Sequence, residues 1–200
     1  MLRQLVPAFR IVLLLTLITG VVYPLLVTGA CQLLFPKQAN GSLIVAKGQV
    51  IGSELIGQES GSPRYFHSRP SAAGTGYDAT SSGPSNLAPT SQKLVDRVRD
   101  SIAKFRAENP DYHGAIPADL VTASASGLDP DISPASAYAQ AARIAKTRNL
   151  SQLAVEQLIA SQTQTPSLGL IGEPRVNVLK LNLALDQMSG GAGPRPPAAS

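Results

Sequence analysis

Apolar and polar positions are distributed very unevenly along the chain. Ile11 to Phe35 is a run of 25 residues without a charged side chain, and no later segment approaches it. As a helix rising 1.5 Å per residue, such a run reaches roughly 37 Å, enough to cross a hydrocarbon core of about 30 Å. The pattern therefore predicts one transmembrane helix over 11–35 and excludes a polytopic transporter. Beyond it the periods shorten. Ser42–Ala46 and Gln49–Gly52 flank Lys47-Gly48 and predict a hairpin. Leu94, Val95, Val98, Ile102 and Phe105 share a helical face that Thr90 or Ser91 can cap and that ends before Asn109-Pro110. Ser133-Pro134 opens a second helix running to about Arg148, and Ser151 caps a third ending near Thr163. Val176–Leu185 fits both periods; we expect a strand at 176–180 followed by a short helix. The fold class expected is α+β, with the N-terminal transmembrane helix leading into a small mixed domain over 36–188. The Gly-, Pro- and Ala-rich tail 189–200 is expected to be disordered.

More than half of residues 60–90 are Gly, Pro, Ser or Thr, yet this segment carries Tyr65, Phe66 and Tyr77. Flexible linkers rarely hold such anchors, so an ordered loop that packs on something is expected, with Tyr65, Phe66, Arg69 and Tyr77 as its docking residues. Within the anchor, Thr16, Gly20, Pro24 and Thr28 recur every four residues and form a slowly drifting stripe where a partner helix can approach closely. Pro24 leaves the carbonyl of Gly20 without its helical donor, so a kink or polar neighbour is expected there.

Charge sets the orientation. Arg3, Arg10 and the terminal amine precede the anchor, which puts residues 1–10 in the cytoplasm and the bulk outside. A cleaved signal peptide has a shorter apolar core, and a lipoprotein site at Cys31 would have Thr28 where leucine is usual. Cys31 is the single cysteine, so no internal disulfide can form. Residues 37–200 balance at 15 basic minus 13 acidic, or +2, too even for a nucleic-acid binder. From Ala107 to Ala142, however, there is no Lys or Arg, and five acidic residues stand there. Asp111, Asp129 and Asp131 among them are candidate carboxylates for gathering a cation, against the simpler reading of turns and caps. His67 and His113 have no metal-ligand spacing, and neither a nucleophile elbow nor a phosphate loop occurs. Composition and spacing favour a non-catalytic subunit with no firmly bound cofactor.

Particular words then carry a resemblance. Tyr23-Pro-Leu-Leu26, Gln38-Ala-Asn-Gly-Ser-Leu-Ile44, Tyr65-Phe-His-x-Arg-Pro-Ser-Ala72, Pro117–Asp129, Ile132-Ser-Pro134 and Val176-Asn-Val to Leu181-Asn-Leu-Ala-Leu-Asp186 occur in this order. The series, over roughly 8–187, resembles the KdpC subunit of the bacterial Kdp potassium-transporting ATPase. The resemblance implies a single-pass inner-membrane subunit beside a channel-like potassium-translocating subunit, a P-type ATPase subunit and a small hydrophobic subunit. Two alternatives then stand for the domain, the first from the topology read above and the second from the resemblance. One is a periplasmic assembly subunit docked on the channel-like partner. The other is a catalytic chaperone raising ATP affinity, with ATP contacted by Gln140, three residues before Arg143. A periplasmic domain would be separated from cytoplasmic ATP, which favours the first.

Overall fold

The computed structural model describes residues 2–46, 48–166 and 168–188. Lys47 of the expected hairpin turn and the tail from Ser189 lie outside the described residues. The chain divides into two units, Met1–Leu43 and Ile44–Ser200.

The first unit is helical: α1 (Leu2–Leu17), a π-helical turn (Ile18–Val22), α2 (Tyr23–Leu34) and the short α3 (Pro36–Ala39). The helix starts at Leu2, so residues expected as a tail before the anchor are themselves helical. Residues Arg3–Leu34 are long and apolar enough to cross a membrane. At Pro24, where a kink or a polar neighbour was expected, the hydrogen-bond ladder is rewound. Pro24 has no N–H for the Gly20 carbonyl, and one residue earlier the Tyr23 N–H bonds the Ile18 carbonyl five residues back. This turn advances less per residue than an α turn, which reduces the drift of a four-residue repeat. Below it, the side chains of Gln32 and Asn40 exchange hydrogen bonds of 3.3 and 3.2 Å across the α2–α3 junction.

From Leu43 the expected hairpin forms, β1 (Leu43–Ala46) with β2 (Gln49–Ser53). The long segment 54–90 contains only a 3-10 turn at Ala79–Ser81, capped by Asp78. Next come α4 (Gln92–Glu108), β3 (Asp131–Ile132), α5 (Pro134–Arg148), α6 (Gln152–Gln162), β4 (Thr163–Gln164), β5 (Arg175–Asn177) and α7 (Val178–Met188). Three strands make an antiparallel sheet in the order β3-β5-β4, with Ile132 opposite Val176 and Thr163 opposite Val176 on the other side.

Ser91 stands at the N-cap of α4 without a side-chain cap bond, whereas the starts of α5 and α6 are set by their caps. The Ser133 hydroxyl accepts from the Ser136 N–H at 3.1 Å, and Asp119 reinforces it, accepting from the Ser133 N–H at 2.7 Å and the Ser136 hydroxyl at 2.5 Å. Ser151 caps α6 through the Ala154 N–H at 3.2 Å, and Asn149 ends α5 with φ 56°. The expected strand 176–180 is shorter than its pattern because Asn177 caps α7. Its Oδ1 accepts from the Lys180 N–H at 3.1 Å, and the chain turns helical at Val178.

The core lies between α5, α6, α7 and the sheet, with Ile132, Ala141, Ile144, Val155, Ile159, Val176, Leu181 and Leu185 buried. Phe66, from the long segment, is fully buried among them. A smaller cluster joins Phe105 of α4 to Leu120 and Ala139, with Tyr112 edge-on to Phe105 at 5.8 Å.

Candidate functional site

The segment around Tyr65–Tyr77 is the centre of the second unit's polar organisation. It has no strand neighbour, so its backbone groups need partners elsewhere. Side-chain amides supply them. Asn182 of α7 accepts from the Phe66 N–H at 2.8 Å and donates to the Phe66 carbonyl at 3.0 Å. On the next residue Gln140 of α5 does the same, accepting from the His67 N–H at 2.8 Å and donating to the His67 carbonyl at 3.2 Å. Each carboxamide imitates the two-bond pairing of a sheet. Successive residues are thereby clamped to two different helices.

Two buried arginines complete the clasp. Arg143 donates to the carbonyls of Pro63 and Tyr65, to Asn109 Oδ1 at 2.9 Å and to Gln140 Oε1 at 2.8 Å. Burial lowers it to about 10, still charged at neutral pH. Arg148 donates to the Arg64 carbonyl at 2.9 Å and to Asp186 at 2.6 Å, and its guanidinium lies 4.6 Å from the centre of the Tyr65 ring. Asp186 also accepts from the Tyr65 hydroxyl at 3.1 Å. Burial, then the Asp186 carboxylate, raises the Tyr65 phenol.

Toward Tyr77 the segment is held on the other side. The Arg69 guanidinium pairs with Asp129 at 3.0 Å, and the Tyr77 hydroxyl donates to the Arg69 carbonyl at 2.6 Å. Burial pushes the Tyr77 phenol up to about 12. The Ser71 hydroxyl donates to the Gly127 carbonyl at 2.7 Å. Gly127 has φ +69°, and a Cβ there would stand 2.7 Å from the Ala73 nitrogen and 2.9 Å from the Gly83 oxygen. No other residue fits.

The four expected docking residues are therefore turned onto the domain itself. Phe66 is wholly inside, and the charge of Arg69 is matched within the fold. Gln140, only 1% exposed, has donor and acceptor both engaged. The candidate carboxylates are not gathered into one site, and each has a cation: Asp129 with Arg69, Asp131 with Arg175 at 3.1 Å, Asp111 with Lys146 at 3.5 Å. Burial raises the Asp131 carboxyl above its ordinary value. In the anchor, a Cβ on Gly20 would meet only the Thr16 methyl at 4.0 Å, which puts both residues on one face.

A cleft of about 390 Å³ lies beside the clasp, lined among others by Glu59, His67, Ser71, Tyr77, Lys104 and Glu108. His67 Nδ1 is 3.3 Å from Glu108 and Nε2 is 3.2 Å from the Ser62 carbonyl. Burial and then Arg143 lower the imidazole below its ordinary value. Among the described residues, no group of three His, Cys, Asp or Glu side chains could hold a metal.

Sequence reasoning missed Asn182, Asp186 and Arg148. The signal was present. Val178, Leu181 and Leu185 mark one face of the helix, and Asn182 and Asp186, four and eight residues after Val178, fall on that face, where a polar side chain needs a partner.

Among the described residues, one helix long and apolar enough to cross a membrane precedes a mixed α and β unit gathered around an inward-turned loop, a make-up consistent with a singly anchored membrane protein. The family model described as KdpC, K+-transporting ATPase, c chain, matches residues 5–187. The "Potassium-transporting ATPase KdpC subunit" of Bradyrhizobium diazoefficiens is 54% identical over 199 residues, covering 94% of this chain and 98% of that protein. That of Rhodospirillum rubrum is 57% identical over 187 residues, covering 94% and 97%. That of Acidobacterium capsulatum is 61% identical over 171 residues, covering 84% and 90%. The chain belongs to the KdpC family of potassium-transporting ATPase subunits.

Proposed function

We propose that this chain is a non-catalytic accessory subunit of the Kdp potassium-transporting ATPase. It assembles and stabilises the complex by docking its outer domain on the channel-like potassium-translocating subunit. The observation that carries this reading is the state of Gln140. Its carboxamide is buried and makes four hydrogen bonds, to both backbone groups of His67, to the Ser136 carbonyl and to Arg143. To touch ATP it would have to abandon all of them, leaving buried groups unsatisfied at about 1–3 kcal/mol each. Gln140 thus supports a role in holding the loop rather than in holding a nucleotide.

The basic N-terminal side of the anchor supports residues 1–10 in the cytoplasm and the domain in the periplasm of the inner membrane. The stripe Thr16, Gly20, Pro24 and Thr28 supports close packing against a transmembrane partner. The carboxylates Asp111, Asp129 and Asp131, each already paired with a cation, support turns and ion pairs more than an entrance for potassium.

Topology separates this reading from a cytoplasmic nucleotide chaperone. Cysteines at the exposed positions Ser82 and Leu153, in a Cys31→Ser background, should react with a membrane-impermeant thiol reagent in intact spheroplasts. Labelling only after lysis would overturn the periplasmic reading.

A further inference from the structure

The antiparallel strands β4 and β5, with Gln164 opposite Arg175, flank a connection whose described residues 168–171 form an apolar tip. Leu168, Leu170 and Ile171 are 90%, 89% and 66% exposed; in the apolar anchor, by comparison, Leu33 reaches 85%. The tip is shaped, not merely loose. The Gly169 N–H bonds the Pro166 carbonyl at 3.0 Å, and Leu168, Gly169 and Gly172 have φ of 55°, 73° and 94°. A left-handed leucine is sterically disfavoured, and here it holds an apolar side chain in water. Such a combination, on a base fixed by the sheet, calls for an occupant elsewhere.

Charge narrows what that occupant is. Between Arg148 and Arg175 the chain has no Lys or Arg, and Glu173 adjoins the tip. Arg175 is itself paired with Asp131. An anionic lipid headgroup would find no cation there and one carboxylate against it. A second copy of this chain would bring a convex tip against a convex tip. What the tip fits is an uncharged, apolar, concave protein surface, and a chain of this family belongs to a multi-subunit ATPase.

We propose that the tip at 168–171 is an insertion element, with Leu168, Leu170 and Ile171 occupying an uncharged apolar pocket on another subunit of the potassium-transporting ATPase. The proposal rests on the docking reading above and names the segment that docks.

The test uses the assembled complex. Leu170→Cys, or Leu153→Cys as an exposed apolar control on α6, is placed in the Cys31→Ser chain and coupled to a benzophenone maleimide before irradiation. The expected result is an adduct between position 170 and another subunit, absent at position 153. Adducts only with lipid or a second copy of this chain, equal adducts at both positions, or no adduct would overturn the proposal. Alongside it, Leu168→Asn with Leu170→Ser keeps a residue tolerant of the left-handed conformation while removing the apolar surface. This double variant should weaken retention of the subunit by about tenfold per leucine, with an unchanged unfolding midpoint for the chain alone. Undiminished retention would also overturn it. If the unaltered chain fails to copurify, the docking reading falls and this proposal with it. If it copurifies but position 170 forms no such adduct, only the insertion element is lost.

Discussion

At the scale of single residues, the α+β unit depends on buried polar groups in close mutual register rather than on a large core. Arg148 and Asp186 are the clearest case, with side chains 2% and 4% exposed. Asp186→Ala would strand the guanidinium without its carboxylate. A loss of about 3–5 kcal/mol is expected in denaturant unfolding of the detergent-solubilised chain, and a smaller loss for Asp186→Asn, whose one carbonyl oxygen still accepts from Arg148 while its NH2 faces the Tyr65 hydroxyl as a donor. His67 gives a second expectation. Its pKa lies below the ordinary 6.5 in the fold, so the unfolded chain takes up the proton more readily. Stability should therefore fall as pH drops through 6.5 toward the lowered value, and His67→Asn should flatten that slope in thermal scans taken across the window. Neither effect was legible from composition. A helix pattern shows which face is buried, but a polar residue on that face declares only that it needs a partner. Nothing local shows that Asn182 answers Phe66.

At the scale of elements, caps were more informative than periods. Ser133, Ser151 and the Asn109-Pro110 stop place helix boundaries correctly because each supplies or removes a specific backbone bond. The alternation through Val176–Leu185 carried less information, because Asn177 ends the strand by capping α7. Asn177 also donates to the Glu54 carbonyl at 2.9 Å and to Asp131 at 3.2 Å. Asn177→Ala should cost about 1–2 kcal/mol or more in chemical unfolding, with helix content reduced by circular dichroism. In the anchor, the π turn next to Pro24 was beyond the reach of periodicity, although the missing donor that favours it was visible. Gly20 has open space around its missing Cβ, so Gly20→Leu does not strain the helix itself. Reduced recovery of this subunit in the purified complex would then report on a partner at the stripe. Undiminished recovery would show that the stripe faces lipid alone.

At the scale of the whole molecule, the sequence pointed to a long apolar N-terminal helix followed by mixed helix and sheet, and to packing of the Gly- and Pro-rich segment through its aromatic residues. What it packs on was not legible, because the partners lie far along the chain: Phe66 bonds a residue 116 positions away and His67 one 73 positions away. That separation has a consequence for biosynthesis. When residues 60–77 leave the ribosome, the helices that will hold them do not yet exist. At about 5–20 residues per second, α7 emerges on the order of ten seconds later. Until then Phe66 and the unpaired backbone beside it are open to a chaperone or a protease, and closure of these long-range contacts is the slow, late event. A chain ending at Gly172, which lacks β5 and α7, should be cut within residues 60–77 by a dilute protease far faster than the full chain. Equal protection of the two would mean that the loop can be ordered before the chain's last helix is made.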